Sequence, residues 1–464
     1  MSRIVISGLK GGSGKTLLSL GLAASLVRRG RSVKPYKKGP DYIDAAWLAL
    51  AAKYPCTNLD PLFLTGERLR QFYSHTLPQG YTALIEGNRG LFDGRDINGT
   101  CSTAELAKLL SAPVLLSMDC TKMTRTAAAI VYGMTHFDAD LPLSGVILNN
   151  VGTSRQERVL REAIEQYTDV PVLGALPRLK KNPMPERHMG LASQQMDARS
   201  EELFEQLAVL VEGHTDIQRI CSIADAAPLL APSAPFYAQA DPAPADDGKR
   251  VRIGYVRDDS LWFYYEENLE ELSRNGAELV RLSLSDPNPW PELDGLYLGG
   301  GFPEDNASVL KNSLHLREIR QYSENGMPVY AECGGFMVLC KAIAGSDAHS
   351  YPMAGVFDTA TCFNRLPQGL GYIEGTVTED NPFFEKGSRL TGHEFHYSQS
   401  VPQPGAELRY ALSLSSGTGM GSGRDALVTR NTWGAFTHIF APAIPQWARN
   451  FVAAARSYSA GRQP

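Results

Sequence analysis

The stretch Arg3–Leu17 reads RIVISGLKGGSGKTL and decides the fold of the first half of the chain. Residues 3–7 are mostly apolar and predict a buried strand. The glycines that follow predict a tight turn, and Leu17 opens a helical pattern. Strand, glycine-rich turn and helix in this order form a phosphate-binding loop, because glycine lets backbone N–H groups curl around phosphate oxygens. We therefore predict a nucleotide-binding α/β domain.

The residues of this loop that we predict to bind ATP form one short run. They are Gly11, Gly12, Ser13, Gly14, Lys15 and Thr16. Lys15 would reach the β- and γ-phosphates, and the Thr16 hydroxyl would hold Mg²⁺. The usual spacing places a glycine at position 9, where this chain has Leu9. The run KGGSGKT instead matches a variant of the loop that carries an additional lysine, Lys10.

Both halves of the chain alternate short apolar runs with helical patterns, which predicts parallel sheets covered by helices on both faces. The predicted strands of the first half are Arg3–Ser7, Ser32–Tyr36, Thr82–Ile85, Val114–Met118, Ser144–Leu148 and Val172–Ala175. Helical patterns between them include Leu17–Arg28, Thr103–Leu110 and Arg155–Tyr167. The predicted strands of the second half are Arg252–Val256, Glu278–Leu282, Gly295–Leu298 and Val329–Ala331. The fold class is therefore α/β.

An Ala/Pro-rich segment without an apolar period divides the chain and predicts a linker at residues 224–249. The length of 464 residues is more than one core needs, so we predict two domains. The first, residues 1–223, would be the ATP-dependent synthetase domain. The second, residues 250–464, would be a glutaminase domain for the reasons given below.

The composition excludes several classes of protein. A net charge of −5 leaves no basic surface for nucleic acid or for a membrane. The start of the chain lacks the pattern of a signal peptide, and no apolar run is long enough for a spanning helix. The seven cysteines are irregularly spaced and contain no Cys-x-x-Cys pair, which favours a reducing compartment over a disulfide framework. We expect a cytoplasmic protein.

Two acidic segments follow predicted strands, at the sheet edge where α/β proteins bind their ligands. Residues 37–44 read KKGPDYID, and residues 86–94 read EGNRGLFDG. Phosphoryl transfer requires oxygen ligands for Mg²⁺ and a cation on the γ-phosphate. We predict that Asp41 and Glu86, with Thr16, hold the metal, and that Lys37 binds the phosphate.

The second half contains the pattern of a nucleophile elbow. Residues 327–339 run from an apolar strand through Glu332, Cys333 and two glycines into an amphipathic helix. A thiol at a helix N-terminus is suited to nucleophilic attack, because the helix dipole stabilises the thiolate. An upstream GGGFPE run offers Gly300 and Gly301, whose backbone N–H groups, with that of Gly334, would bind the substrate carbonyl oxygen.

The same half resembles class I-like glutamine amidotransferases, in which a distant histidine follows the cysteine. His438, in WGAFTH, matches that position and is our candidate base. In many such triads a glutamate lies two residues beyond the histidine, where this chain has Phe440. The resemblance therefore implies a Cys333–His438 dyad, without indicating what orients the imidazole.

Several further runs, in this order, resemble the cobyrinic acid a,c-diamide synthase family over nearly the whole chain. They are GPDYID, NLDP, EGNRGLFDG, CSTAELAKLL, GVILNNV, PERHMGL, GGGFPE and GHEFHYS. The resemblance implies a dethiobiotin-synthetase-like first domain that activates a tetrapyrrole acetate carboxylate with ATP. It places Asp41, Tyr42, Ile43 and Asp44 around the substrate carboxylate and the metal, with Asp41 and Asp44 as catalytic groups and Asp93 close by. It also places Asn149 against the adenine.

Two of these runs have no role that the sequence alone supplies. Arg187 and His188 of PERHMGL are most simply residues of a surface loop. The GHEFHYS run predicts a strand with His393, Phe395 and Tyr397 on one face, and a contact between domains is its favoured role over chemistry.

The resemblance implies a tetrapyrrole polycarboxylate and L-glutamine as partners, and a homodimer is possible. Cobyrinic acid is the main candidate substrate. Siroheme or sirohydrochlorin is the alternative, since Asn88 and Arg89 stand where the family often has two apolar residues. A partition-type ATPase would explain Lys10 but leaves Cys333 and His438 without purpose, and a pure binding protein is disfavoured for the same reason.

Overall fold

The computed structural model describes residues 1–181, 196–231, 233–237, 250–345 and 349–462. The chain divides into two compact units, Met1–Ala240 and Asp241–Pro464. Each unit is built on its own sheet, and the predicted α/β class is confirmed for both.

The sheet of the first unit has seven strands, all of them parallel. They are β1 (Arg3–Gly8), β2 (Val33–Lys38), β3 (Thr57–Leu59), β4 (Thr82–Glu86), β5 (Val114–Asp119), β6 (Leu143–Val151) and β7 (Val172–Pro177). Their order is β3-β2-β4-β1-β5-β6-β7. The six predicted strands are confirmed, whereas the three-residue edge strand β3 is too short to give a recognisable pattern. Because β1 is central and parallel to β4 and β5, its loop meets the ends of β2 and β4 at one edge.

Helices flank this sheet as predicted. They are α1 (Lys15–Arg28), α2 (Tyr42–Ala52), α3 (Gly66–Thr76), α4 (Thr103–Leu109), α5 (Thr126–Phe137), α6 (Ser154–Tyr167), α7 (Met196–His214) and α8 (Ile217–Asp225). The residues after α8 still pack on this unit, since Arg3 donates to the carbonyl of Pro228 and Arg68 to that of Phe236. The first part of the segment predicted as a linker is thus helix end and packed chain.

The main sheet of the second unit has a parallel half, in which the four predicted strands of this unit are confirmed. Its members are β8 (Val251–Val256), β9 (Ala277–Leu282), β10 (Gly295–Leu298), β11 (Val329–Glu332) and β20 (Thr432–Ala435). They run in the order β20-β11-β10-β8-β9. The helices of this unit are α9 (Glu266–Arg274), α10 (Pro303–Leu310), α11 (His315–Glu324), α12 (Gly334–Leu339) and α13 (Pro445–Gly461), with a 3₁₀ turn at Ala441–Ala443.

Further strands, which the alternation of strands and helices did not predict, fill residues 340–429, and most of their pairings are antiparallel. The strands are β12 (Cys340–Ala344), β13 (Ser350–Pro352), β14 (Phe357–Phe363), β15 (Gly369–Val377), β16 (Arg389–His396), β17 (Ser398–Pro402), β18 (Tyr410–Ser416) and β19 (Arg424–Thr429). Four of them extend the main sheet in the order β16-β15-β18-β19 next to β20, and the others form a separate sheet. Short strands joined without helices leave only a period of two residues, which is a weaker signal than strand–helix alternation.

Within the described part of the chain, no helix is both long enough and apolar enough to cross a bilayer.

Candidate active sites

The phosphate loop joins β1 to α1, as the sequence predicts. Gly14 is the N-cap of α1 and has a φ of 84°, a left-handed conformation that favours glycine. The carbonyl of Ser13 accepts hydrogen bonds from Ser117 Oγ at 2.8 Å and from Asn149 Nδ2 at 3.1 Å. The loop is therefore held in place by side chains from β5 and β6 before any nucleotide binds.

Lys15 lies across the mouth of this loop. Its ammonium donates to the carbonyl oxygens of Lys10, at 3.1 Å, and Arg89, at 2.7 Å. Burial lowers the pKa of Lys15, and the nearby charge of Lys37 lowers it further. A phosphate group carries full negative charge, so it would bind the Lys15 ammonium more strongly than these two carbonyl oxygens do.

Lys37, which we predicted as a phosphate ligand, lies in a cluster of carboxylates. Its buried ammonium is 2.7 Å from Asp44 Oδ2 and from Glu86 Oε1, and 3.8 Å from Asp41 Oδ2. Burial alone would lower its pKa, but the three carboxylates outweigh burial and raise it. Lys37 therefore stays charged and offsets part of the negative charge of the acidic cluster, and its contact with the γ-phosphate remains a prediction.

Asp41 caps the N-terminus of helix α2, and Asp44 lies in its first turn. Both predicted site residues therefore also belong to the start of this helix. Asp41 is the N-cap, and its Oδ1 accepts a hydrogen bond from the backbone N–H of Asp44 at 2.9 Å. Burial and repulsion by Asp44 raise the pKa of Asp41 to about 6. Tyr42 and Ile43, between them, are half-buried, and Ile43 packs against the core of this unit. Their contact with a substrate is still a prediction.

The donor atoms beside the loop fit the predicted Mg²⁺. Thr16 Oγ1 donates to Glu86 Oε1 at 2.9 Å, while Glu86 Oε2 is buried without a hydrogen-bond partner. An unsatisfied buried carboxylate oxygen next to a phosphate loop suits a hard cation. No group of three His, Cys, Asp or Glu side chains with metal-site geometry occurs in the described ranges. Mg²⁺ commonly binds through one or two carboxylates together with phosphates and water, so the two carboxylates and one hydroxyl here suffice.

Asp93 and Asn149 both lie near the phosphate loop. Asp93 Oδ2 accepts from the backbone N–H of Gly90 at 2.9 Å, and the N–H of Leu91 donates to the carbonyl of Gly8. The Asp93 segment therefore packs directly on the loop.

Asn149 donates to the Ser13 carbonyl through its amide nitrogen, and its contact with adenine remains a prediction. Arg187 and His188 lie outside the described residues.

In the second unit, Cys333 occupies a sharp turn between β11 and α12. Its φ of 46° and ψ of −103° are unusual for a residue with a side chain, as expected at the tip of a nucleophile elbow. The N–H of Cys333 donates to the carbonyl of Ala435 at 2.7 Å, which ties the elbow to β20. Burial raises the pKa of the Cys333 thiol well above its usual value, and the charges of Glu304 and Glu332 raise it further. A thiol with a raised pKa needs a base to become a nucleophile.

The glycine loop after β10 closes around this elbow. A Cβ atom on Gly334 would lie 2.9 Å from both the nitrogen and the oxygen of Gly301, so the two backbones are in close contact. The N–H of Gly300 already donates to the carbonyl of Phe263 at 3.2 Å. The N–H of Gly300 is therefore not free to bind an oxyanion, and Gly301 and Gly334 remain the predicted donors.

Gly300 makes room for the imidazole of His438. A Cβ atom at Gly300 would lie 2.5 Å from His438 Cε1. The backbones of His438 and His393 exchange two hydrogen bonds of 2.8 and 3.0 Å, and their rings stack at a centroid distance of 4.9 Å. Because β11 and β20 are adjacent and parallel, Cys333 and His438 leave the sheet at the same edge. The structure thus brings the two residues of the predicted dyad to the same edge of the sheet, and the proton transfer between them stays a prediction.

The GHEFHYS run forms strand β16 as far as His396 and contributes to this site. Burial lowers the pKa of His393 well below its usual value, and the neighbouring His438 lowers it further, so His393 is a neutral packing partner. The carbonyl of Phe395 lies 3.7 Å from Cys333 Sγ. On the other face, Glu394 accepts the N–H groups of Thr418 and Gly419 at 2.7 and 2.8 Å.

Sequence reasoning missed the group that contacts the candidate base. Glu332 Oε2 is 3.4 Å from His438 Nδ1, and both side chains are almost completely buried. A glutamate that ends an otherwise apolar buried strand was the available signal, because a carboxylate is rarely buried without a partner.

Comparisons with known proteins identify the family of each unit. A family model described as the CobQ/CobB/MinD/ParA nucleotide binding domain matches residues 4–191, and one described as a CobB/CobQ-like glutamine amidotransferase domain matches residues 252–443. A cobyrinate a,c-diamide synthase of Magnetococcus marinus is 42% identical over 96% of this chain and 95% of its own. Those of Dehalococcoides mccartyi (strain ATCC BAA-2266 / KCTC 15142 / 195) and Archaeoglobus fulgidus are 39% and 38% identical, over 99% and 97% of this chain and 99% and 96% of their own. The chain therefore belongs to the cobyrinate a,c-diamide synthase family of ATP-dependent carbon–nitrogen ligases that take nitrogen from glutamine.

Proposed function

We propose that this protein converts acetate side-chain carboxylates of cobyrinate into amides, using ATP and L-glutamine. The observation that carries this proposal is the presence of two sites on one chain: a phosphate loop beside a carboxylate cluster, and a buried cysteine elbow beside a histidine. The near full-length relatives named as cobyrinate a,c-diamide synthases support the choice of substrate.

In the glutaminase half-reaction, His438 takes the proton of Cys333, and Sγ attacks the side-chain carbonyl carbon of glutamine. The N–H groups of Gly301 and Gly334 stabilise the oxyanion that forms. When the intermediate collapses, the C–N bond breaks and His438 returns the proton to the departing ammonia. Water then hydrolyses the glutamyl thioester and restores the thiol, releasing glutamate.

In the synthetase half-reaction, a substrate carboxylate oxygen attacks the γ-phosphorus of ATP to give an acyl phosphate and ADP. The loop N–H groups and Lys15 hold the phosphates, and Lys37 offsets part of the negative charge of Asp41, Asp44 and Glu86. Mg²⁺, held by Thr16 and the carboxylates, would supply charge neutralisation at the β- and γ-phosphates. Ammonia then attacks the acyl carbon, and phosphate leaves with the C–O bond electrons. Free carboxylates do not react with ammonia at useful rates, which is why activation is needed.

At neutral pH ammonia is mostly the non-nucleophilic ammonium ion, so we propose that ammonia moves from Cys333 to the acyl phosphate through a shielded passage. The argument for a passage is the protonation of free ammonia in water. A homodimer is compatible with the proposal but not required by it.

The alternative substrates from the same family, siroheme and sirohydrochlorin, are less favoured, since the relatives described above share the cobyrinate name. A partition-type ATPase would use the phosphate loop but not the Cys333 elbow. A direct test is to incubate the protein with ATP, glutamine and a panel of tetrapyrrole acids. Replacement of a carboxyl hydroxyl by an amino group in cobyrinate, read by mass spectrometry, supports the proposal, whereas amidation of siroheme alone would contradict it.

Replacing the nucleophile separates the two half-reactions. We expect Cys333→Ser to lose glutamine-driven synthesis by at least about 10³-fold and to retain synthesis driven by added ammonium salts. The matched variant Lys15→Ala should lose synthesis with both nitrogen sources, because it lacks the cation on the phosphates. Both rates are measured as ADP release and product mass. If Cys333→Ser loses both activities while remaining folded, the proposed division of labour is wrong.

A further inference from the structure

Strand β11 ends in a charged residue that is completely buried. Val329, Tyr330 and Ala331 are apolar or aromatic core residues, and Glu332 after them has no exposed surface. Removing a carboxylate from water costs several kcal/mol, as an order of magnitude, unless it is well hydrogen-bonded. The interactions of Glu332 therefore have to compensate for its burial.

Glu332 has hydrogen-bond partners on both of its carboxylate oxygens. Oε1 accepts from the phenol of Tyr330 and from the backbone N–H of Ile439, each at 3.2 Å. Oε2 accepts from the phenol of Tyr297 at 3.1 Å and lies 3.4 Å from His438 Nδ1. The carboxylate thus contacts both the ring of His438 and the backbone of the next residue.

The segment that carries His438 is fixed at further points. Asp425 accepts the N–H groups of Phe436, at 3.1 Å, and Thr437, at 2.9 Å. Asn268 donates to the carbonyl of Ile439 at 3.0 Å and accepts the N–H of Ala441 at 2.7 Å. These groups hold the main chain, whereas Glu332 also reaches the imidazole.

We infer that Glu332 is the positioning residue of the glutaminase site, taking the place of the acid that is absent at Phe440. It accepts the Nδ1 proton of His438, which leaves the other ring nitrogen, Nε2, to take the proton of Cys333. The distance of 3.4 Å is long for a hydrogen bond, and it shortens when the ring gains a proton during the reaction. This inference rests on the proposed hydrolysis of glutamine and adds the group that orients its base.

The geometry also explains why the acid can precede the cysteine. Strands β11 and β20 are parallel neighbours, with Glu332 opposite Ala435 in the register. Strand β11, which leads to Cys333, therefore places the side chain of its last residue, Glu332, beside the segment after β20 that carries His438. An acid two residues after the histidine and an acid one residue before the cysteine can reach the same imidazole from different strands.

The charged and titratable groups packed around this imidazole come from several elements. Besides Glu332 they are Tyr297 on β10, Tyr330 on β11, His393 on β16, Asp425 on β19 and Glu304 on α10 near the thiol. Asp425 provides a matched control. It is also buried and also holds the His438 segment, but through backbone N–H groups.

The experiment compares Glu332→Gln with Asp425→Asn in the full-length protein. We expect Glu332→Gln to lower kcat for glutamine hydrolysis by about 10²–10⁴-fold with KM changed less than about threefold, as for removal of an orienting acid. Ammonium-driven synthesis should equal that of the unaltered protein, which shows that the rest of the molecule is intact. Asp425→Asn should lower the midpoint of thermal unfolding, and it should lower kcat less than Glu332→Gln does.

The tautomer of His438 gives a readout that does not need turnover. In protein labelled with ¹⁵N-histidine, with the signal assigned by its loss in His438→Gln, we expect the proton on Nδ1. Glu332→Gln should move a substantial fraction of the proton to Nε2, and Asp425→Asn should not. A proton on Nε2 in the unaltered protein, an unchanged tautomer in Glu332→Gln, or an equal change in Asp425→Asn would overturn the inference. If the unaltered protein hydrolyses no glutamine, the proposed function fails, while the tautomer still decides the role of Glu332.

Discussion

At the scale of single residues, the glutaminase site is governed by burial of ionisable groups. Cys333 has 3% of its surface exposed, and burial is the main cause of the raised pKa of its thiol. A raised pKa favours the protonated thiol, so we expect reactivity to depend on the transfer of its proton to His438. We also expect the protonated thiol to resist oxidation, because the thiolate is the reactive form.

Glu304, on the first turn of α10, gives a prediction for stability. Burial raises the pKa of its carboxyl to about 8, and Asp305 contributes in the same direction. A carboxyl whose folded pKa lies above its unfolded value stabilises the fold below the unfolded pKa, and this contribution is lost as the pH rises through the folded value. Between pH 5 and 8.5, the free energy of unfolding should fall by about 1–3 kcal/mol more in the unaltered protein than in Glu304→Gln.

Chemical denaturation at a series of pH values measures this difference. Glu324→Gln is a suitable control, since its side chain is exposed and it lies on the neighbouring helix α11. The control should follow the pH dependence of the unaltered protein. Parallel curves for Glu304→Gln and the unaltered protein would show that the Glu304 carboxyl is already ionised at pH 5.

At the scale of elements, the phosphate loop depends on how closely α1 and α7 pack. A Cβ atom on Gly21, in the middle of α1, would lie 2.4 Å from Val211 Cγ2 and 2.9 Å from the backbone oxygen of Leu207. The carbonyl oxygen cannot rotate away, so a side chain at this position must push the two helices apart. Since α1 begins at Lys15, movement of this helix also moves the loop.

We therefore expect Gly21→Ala to lower the free energy of unfolding by about 1–3 kcal/mol, even though alanine favours helix by up to about 1 kcal/mol. Gly133→Ala in α5 is the matched control, because a Cβ there meets no atom within 4 Å. It should be neutral or slightly stabilising. Thermal unfolding measures both, and a stabilised Gly21→Ala would mean that α1 and α7 pack less closely than described.

At the scale of the whole molecule, the proposal requires two half-reactions to be coupled through ammonia. Cys333→Ser and Lys15→Ala each remove one half-reaction, so a mixture of the two proteins contains both activities on different chains. If ammonia moves within a chain, we expect the mixture to restore little glutamine-driven synthesis. An enzymatic trap that consumes free ammonia should abolish the remainder and leave the rate of the unaltered protein nearly unchanged.

Product mass after a fixed time, with and without the trap, measures this coupling. Full restoration in the untrapped mixture, together with loss of synthesis by the trapped unaltered protein, would mean that ammonia passes through solution. That result would contradict the shielded passage and leave the two half-reactions as proposed.

Most of the parallel framework was predictable, because its signals lie within short segments. The run around Lys15 and the run around Cys333 each combine a strand, a turn and a helix in consecutive residues, and both are formed as predicted. The strands at 340–429 were not predicted, since their pairing depends on residues far apart in the chain. The ion cluster of Lys37 with Glu86 was anticipated only as separate ligands.

The sequence by itself determined the two chemical devices, the phosphate loop and the cysteine elbow, because backbone geometry there is set by neighbouring residues and glycines. Only the tertiary structure decided how each device is completed. Glu332 and His438 are 106 positions apart, and Lys37 and Glu86 are 49 apart. Pairing of parallel strands brings such residues together, and this depends on the register of whole strands, which no local pattern specifies.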